Sequence, residues 1–236
     1  MQKYKNKKIA IYGMGITGRS AAKILKKLKT KIYCWDDNKK IREKAKKSKF
    51  RINKFWLNQN SFDSIVISPG IDIKKCKISS YLKKNRSKII TELDIFAISY
   101  PNVNKITITG TNGKSTTCQL MYKVLLNQKI DVRVVGNIGN PILSAKNIKK
   151  KTIFVVEASS YQLEYSKIFR SKYAIILNIS ADHIERHKTL KKYVKAKFRL
   201  FKHQLKGHLA FVKKDDLLIN QELKKNKFSS KIIRVD

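Results

Sequence analysis

Short apolar runs alternate with amphipathic stretches along almost the whole chain. Residues 8–12 (Lys-Ile-Ala-Ile-Tyr) read as a strand that feeds a glycine turn and a helix to about residue 28. Further strand-like runs lie at 31–35 and 64–67. A second series opens with Lys105-Ile106-Thr107-Ile108-Thr109 and passes through a glycine-containing loop into a helix to about residue 127. It continues with runs at 132–135, 152–156, 173–177 and 208–212, a helical segment at 190–203 and a closing strand-like run at 231–235. Strands alternating with helices predict an α/β fold, with parallel sheets and flanking helices. The turn-prone stretch 91–104, with Tyr100-Pro101-Asn102, reads as a junction and divides the chain into domains 1–93 and 94–236.

Each series begins with a strand, a glycine loop and a helix. In the second, the loop is Gly110-Thr111-Asn112-Gly113-Lys114-Ser115-Thr116. Such a turn aims several backbone N–H groups and the positive helix end at phosphate oxygens. Lys114 can reach the β and γ phosphates of a nucleoside triphosphate, and the Ser115 hydroxyl can bind Mg²⁺. The common pattern has a glycine five residues ahead of the one preceding the lysine, where this chain has Ile108. With Gly110 three residues back, the loop is a tighter variant.

In the first series, Gly13-Met14-Gly15-Ile16-Thr17-Gly18 fits the dinucleotide fingerprint, and Asp36 and Asp37 follow the second strand. Ser68-Pro69-Gly70-Ile71 adds a turn after the third strand, at the sheet edge where open α/β sheets bind ligands. The loop alone fits a nicotinamide-dependent oxidoreductase as well as any other carrier of a nucleoside diphosphate. Polar residues also stand at strand ends in the second series. Glu157 follows Ile153-Phe154-Val155-Val156, Asn178 follows Ala174-Ile175-Ile176-Leu177, and Asp182-His183 comes soon after. A carboxylate on the same edge as a phosphate loop can hold Mg²⁺. His183 and His187 stand four apart, but no third ligand at a fitting spacing supports zinc.

Composition changes little in this picture. Hydrophobic residues make up 42% of the 236, as expected of a globular protein. No apolar run reaches the roughly 18 residues that span a bilayer, and the basic Met1-Gln2-Lys3-Tyr4-Lys5 lacks the features of a secretory signal. Cys34, Cys76 and Cys118 have neither paired nor metal-type spacing and read as reduced thiols of a cytoplasmic protein. The formal charge of +38 raises nucleic-acid binding as an alternative. Its carriers, however, are 45 Lys and 9 Arg spread along the chain, so the charge reads as compositional.

Taken in order, these motifs resemble the Mur ligases, in particular their D-glutamate-adding branch. The resemblance runs through the two glycine loops, Ser68-Pro69-Gly70-Ile71, Gly136-Asn137-Ile138-Gly139 and Glu157-Ala158-Ser159-Ser160-Tyr161-Gln162-Leu163-Glu164. It ends with Asn178, Asp182-His183 and Lys195-Ala196-Lys197-Phe198-Arg199. It implies a Rossmann-like first domain that binds the UDP moiety, followed by a phosphate-loop central domain that binds ATP. The implied reaction joins D-glutamate to UDP-N-acetylmuramoyl-L-alanine through an acyl phosphate. That places the chain in peptidoglycan and cell wall synthesis, hence in cell shape, division and the cell cycle.

By the same resemblance, Lys114, Glu157, His183 and Lys197 are the catalytic positions. Ser115, Glu157, His183 and a carbamylated Lys197 are the Mg²⁺ ligands. Gly15, Ile16, Thr17, Asp36, Ser68, Pro69, Gly70, Asn137 and Ser159 contact the substrate. The family often has Thr-Arg after Asp36, where this chain has Asp37 and Asn38. The resemblance further implies an incomplete central domain, with the D-glutamate-binding carboxy-terminal domain absent. It leads us to expect a monomer, no specific nucleic acid and no membrane insertion. Little or no D-glutamate-dependent phosphate release is expected from these 236 residues alone, which a phosphate-release assay checks directly.

Overall fold

The computed structural model describes residues 4–57 and 61–236; Met1, Gln2 and Lys3 of the basic amino terminus lie outside the described residues. Two compact units divide between Ser99 and Tyr100. The division falls six residues beyond the 93/94 boundary, because the helix 92–99 packs back onto the first helix of unit 1.

Unit 1 runs β1 (Lys8–Tyr12), α1 (Ile16–Lys27), β2 (Lys31–Trp35), α2 (Lys39–Lys47), β3 (Ser64–Ile67), α3 (Ser79–Lys84), β4 (Ile89–Ile90) and α4 (Glu92–Ser99). The sheet is parallel, in the order β2-β1-β3-β4. The chain leaves β1 in one direction and returns on its other side as β3. Such a reversal opens a crevice at the carboxyl ends of the two strands. Both turns after these strands stand there. Gly13 has φ +95, and its carbonyl accepts a hydrogen bond from the Ser68 hydroxyl at 2.7 Å. A Cβ on Gly18 would fall 1.8 Å from that same carbonyl oxygen, so α1 approaches the loop more closely than any side chain permits.

Unit 2 runs β5 (Asn104–Thr109), α5 (Lys114–Asn127), β6 (Val132–Gly136), β7 (Ile153–Glu157), α6 (Ser160–Glu164), β8 (Tyr173–Ile176), α7 (Ile184–His187), α8 (Leu190–Lys202), β9 (Leu209–Lys213), α9 (Leu217–Lys225) and β10 (Lys231–Val235). Its six strands are parallel, in the order β10-β9-β8-β5-β7-β6. On one face Ile108 and Val155 form a core with Cys118 of α5. Ala174, Ile176, Ala210 and Val212 are buried on the other, beneath the side carrying α8. Helix starts are set locally: Ser159 and Gln162 form a capping box on α6, and Thr189 caps α8. Asp216 caps α9 through Ile219 N–H and also accepts from Ile179 N–H at 2.7 Å, which ties α9 to the end of β8. Cys34, Cys76 and Cys118 are free, and burial pushes the Cys34 and Cys118 thiols up to about 12.

Gly18→Ala is expected to destabilise unit 1 by about 1–3 kcal/mol, the usual cost of forcing an extra methyl group into a packed contact. Denaturant unfolding followed by Trp35 and Trp56 fluorescence measures it, and an unchanged midpoint would show that the loop is not so tightly held.

Candidate functional site

In unit 2 the carboxyl ends of β5, β7 and β8 lie side by side, and the residues leaving them form one site. The turn after β5 enters α5 through Gly113 at φ +78. Residues beyond β8 fix its backbone. Thr111 N–H donates to the Asn178 carbonyl at 3.0 Å. The Asn178 amide accepts from Asn112 N–H at 2.9 Å and donates to the Asn112 carbonyl at 3.2 Å. Lys114 Nζ donates to the Thr111 carbonyl at 2.6 Å. Thr111 Oγ1 accepts from Ser180 N–H at 3.0 Å and lies 3.2 Å from the Tyr193 hydroxyl.

Glu157 ends β7 with 1% of its surface exposed. Its Oε2 accepts from the Ser115 hydroxyl and its Oε1 from the Asn137 amide, both at 2.7 Å. Among the described residues it makes no ion pair. A buried carboxyl group that meets only neutral donors has oxygen lone pairs left for a hard cation. Gly136 makes this approach possible: at φ +113, a Cβ would fall 2.2 Å from the Glu157 carbonyl oxygen.

Helix α8 turns Lys197 inward, 1% exposed, where Nζ donates to the Gly110 carbonyl at 2.6 Å and sits 4.5 Å from the centre of the Tyr193 ring. Burial, helped by the Lys114 charge and opposed by Asp182, lowers its pKa from 10.5 to about 7. His183 begins α7 in the left-handed region, φ 52, within 3.5 Å of the Asp182 carboxylate. Lys114, Asn137, Ser159, His183 and Lys197, far apart in sequence, line one cavity of about 260 Å³. The Ser159 hydroxyl is engaged there with Gln162, as the cap of α6.

Ser160, Tyr161 and Tyr193 complete that lining. The Tyr161 ring stacks 5.0 Å from His183 and 5.6 Å from His187, and His187 lies 5.3 Å from Tyr193. His187 Nε2 is 3.0 Å from the Ser160 hydroxyl, and burial lowers its pKa. Sequence reasoning gave Ser160, Tyr161 and Tyr193 no role of their own and weighed His187 only as half of a zinc pair with His183. The available signal was the four-residue histidine spacing, which here serves ring packing and brings no third ligand: among the described residues no group of three or more His, Cys, Asp or Glu side chains is placed to hold a metal. The metal set implied by the resemblance instead draws on a hydroxyl, one carboxylate, one imidazole and a lysine.

In unit 1, Gly15 caps α1, Ile16 stands 69% exposed beside it, and Thr17 follows in the first turn. Ser68, Pro69 and Gly70 form the facing turn, with Gly70 exposed. Asp36 is 7% exposed, and both its oxygens serve the backbone, accepting from Met14 N–H at 2.7 Å and Asn38 N–H at 2.8 Å. It braces the glycine loop. Asp37 accepts from the Tyr12 hydroxyl at 2.5 Å and Trp35 Nε1 at 3.1 Å. Both acids thus already accept hydrogen bonds within unit 1.

Unit 1 has the architecture of a doubly wound nucleotide-binding domain, and unit 2 that of a phosphate-loop nucleotide-binding domain with a carboxylate beside the loop. The chain belongs to the Mur ligase family: the Mur ligase middle domain matches residues 108–235, and the Mur ligase MurD-like, N-terminal domain matches residues 7–90. It is 35% identical over 219 residues to the UDP-N-acetylmuramoylalanine–D-glutamate ligase of Rickettsia felis, covering 92% of this chain and 48% of that protein. To the ligase of the same name from Phenylobacterium zucineum it is 32% identical over 223 residues, covering 90% and 48%. The chain therefore spans about half the length of the curated relatives it matches. Among solved structures, a UDP-N-acetylmuramate:L-alanyl-gamma-D-glutamyl-meso-diaminopimelate ligase from Neisseria meningitides shares the fold. Its TM-score is 0.60 at 16% identity, covering 97% of this chain and 78% of that one. The UDP-N-acetylmuramate-alanine ligase of Thermotoga maritima does so with a TM-score of 0.53 at 19% identity, covering 92% and 51%. No helix among the described residues is long and apolar enough to cross a membrane.

The folded chain gives up the Lys197 proton near pH 7, whereas the ordinary value is 10.5. Between those values the unfolded chain binds the extra proton, so stability due to this group is lowest below pH 7 and rises with pH. Lys197→Met should flatten that part of the rise in urea-unfolding free energy, leaving the share due to Lys105, whose pKa burial lowers to about 8. An unchanged slope would remove Lys197 as a titrating group in this range.

Proposed function

We propose that this chain carries the ATP site and the UDP-substrate site of an ATP-dependent amide ligase that joins D-glutamate to UDP-N-acetylmuramoyl-L-alanine in peptidoglycan synthesis. One observation carries the reading: Lys114, Asn137, Ser159, His183 and Lys197 converge on one cavity beside a phosphate loop whose Ser115 bonds to Glu157. A cytoplasmic location follows from that substrate.

In this reaction the substrate carboxylate attacks the γ-phosphorus of ATP and ADP leaves, giving an acyl phosphate. The D-glutamate amine then attacks the acyl carbon, loses a proton and expels inorganic phosphate, leaving the amide. Catalysis of such phosphoryl transfer is mostly positioning and charge neutralisation. The amides from Gly110 to Thr116, at the positive end of α5, would hold the phosphates, with Lys114 placed at their β–γ end. Glu157 and Ser115 would take one Mg²⁺ and His183 a second, with a carbamylated Lys197 as a further metal ligand; bound there, the ions would neutralise phosphate charge. Carbamylation needs a neutral amine, and a lysine with a pKa near 7 supplies one at physiological pH. The amine nitrogen bonds to the carbon of CO₂ and a proton is released, so a cation becomes an oxygen ligand. In unit 1, the N–H groups of Gly15, Ile16 and Thr17 and the turn Ser68-Pro69-Gly70 would receive the UDP diphosphate. Asp36 would act there through the loop it braces.

Thermal-shift titration separates this reading from its rivals. Mg-ATP and UDP-N-acetylmuramoyl-L-alanine should each raise the melting temperature. Lys114→Ala should weaken Mg-ATP about 10- to 100-fold, the size of a lost hydrogen bond to a charged group. Glu157→Gln should remove the Mg²⁺ dependence. Stabilisation by NADH alone would favour an oxidoreductase. Salt-sensitive DNA binding with no response to Mg-ATP would favour a nucleic-acid binder.

A further inference from the structure

Glu164 closes the stretch that begins at Glu157, and neither phosphate nor metal binding uses it. It ends α6, the helix that follows β7 directly and is started by the Ser159–Gln162 capping box. Its side chain is 16% exposed, so a carboxylate here needs partners. Oε1 accepts from the Tyr165 hydroxyl at 2.9 Å, and Oε2 lies 3.6 Å from Arg186 Nε. Among the described residues no other cation stands within ion-pairing distance of it. Arg186 is itself buried, with its guanidinium carbon 5.0 Å from the centre of the Tyr161 ring.

Arg186 belongs to α7, a single turn of four residues. One turn does not hold itself, because a helix nucleus fixes several dihedrals for each hydrogen bond it gains. Both ends of this turn are strained as well: His183 at φ 52 and Lys188 at φ 71 are left-handed residues that carry side chains. Such backbone persists where surrounding contacts over-determine it. The polar contacts that tie α7 down run to α6. Arg186 meets Glu164 and Tyr161, and His187 Nε2 lies 3.0 Å from the Ser160 hydroxyl. Ser160 and Glu164, four apart, share one face of α6. The His183 ring lines the cavity beside the phosphate loop, rests on the Tyr161 ring 5.0 Å away, and has only exposed acids as charged neighbours. Its direction is therefore set by the backbone of α7.

We propose that Glu164 and Arg186 are positioning residues for His183. Their buried ion pair locks α7 onto α6, and so fixes His183, in the turn before α7, relative to Glu157, in the strand before α6. Buried ion pairs add little stability, since desolvation offsets the attraction, and here the pair selects one arrangement of two short helices. The inference rests on the reading of His183 as a metal ligand.

The test uses the 236-residue chain with ATP and Mn²⁺, followed by electron spin-echo spectroscopy, which detects an imidazole nitrogen bonded directly to the ion. The unaltered chain should show that coupling, and His183→Ala should abolish it. Glu164→Gln and Arg186→Gln should each raise the Mn²⁺ concentration for half the signal by about 10- to 100-fold, the usual effect of losing a residue that orients a metal ligand. Arg186→Lys, which keeps the charge, should recover most of the signal. Glu185→Gln, on the exposed side of the same turn, should leave it unchanged. If the coupling is absent or survives His183→Ala, the reading of His183 fails, and this inference with it. If the coupling needs His183 but ignores Glu164→Gln and Arg186→Gln, or responds as much to Glu185→Gln, the ion pair positions nothing. Should both Gln variants unfold, hydrogen exchange on the unaltered chain decides. The His187 and Lys188 amides, bonded to the His183 and Ile184 carbonyls, should exchange no faster than the Leu163 amide of α6. Faster exchange would show α7 opening alone and overturn the lock.

Discussion

The site of unit 2 depends on one buried charge. Removing a carboxylate from water costs several kcal/mol unless hydrogen bonds or a counter-charge replace the lost hydration. At Glu157 the replacements come from both neighbouring strand ends, Ser115 after β5 and Asn137 after β6. Satisfying that carboxylate therefore fixes the start of the phosphate-loop helix and the loop beyond β6 with one set of contacts. The main chain is engaged as well, since Asn137 N–H donates to the Glu157 carbonyl at 2.9 Å. With only neutral donors around it, the charge is placed but not neutralised. That condition suits a residue whose proposed partner is a cation arriving with a nucleotide.

Lys197 is the complementary case. Its Nζ is buried against the Gly110 carbonyl and the Tyr193 ring, in the same cavity as Lys114. Two cationic side chains on one small cavity oppose each other's charge, and the chain relieves this by making one of them easy to deprotonate. The rings of Tyr161, His183, His187 and Tyr193 pack on one another beside it. The depressed pKa comes first from burial and then from the Lys114 charge, against the opposing Asp182 carboxylate.

The fold class and both glycine loops were legible because strand–loop–helix spacing is local. So were Glu157 and Asn178, which directly follow apolar runs. Short helices were not: α6 is defined by the Ser159–Gln162 capping box and α7 by a left-handed His183, neither of which leaves an apolar period. The domain boundary moved to Ser99 because α4 is apolar on nearly every side, so no amphipathic stripe announced that it packs into unit 1. Asp36, expected from the resemblance to contact the substrate, has both oxygens on the Met14 and Asn38 N–H groups, a placement that depends on loop geometry and not on residue type. Lys197 is the extreme example. Among 45 lysines only burial sets it apart, a feature it shares with Lys105, and helical phase alone could not single it out without knowing which face of α8 meets the sheet.

The same chirality that builds the site also sorts the helices onto the two faces of the sheet. A phosphate loop needs a strand whose neighbours on both sides end in free loops, and β5 has β7 and β8 there because the chain leaves it in one direction and returns on the other. Right-handed crossovers then force α5 onto one face and α8 and α9 onto the opposite one. The loop residues, Glu157 and Asn178 are therefore gathered at the carboxyl ends of β5, β7 and β8, while Phe211 and Ile233 lie side by side on β9 and β10.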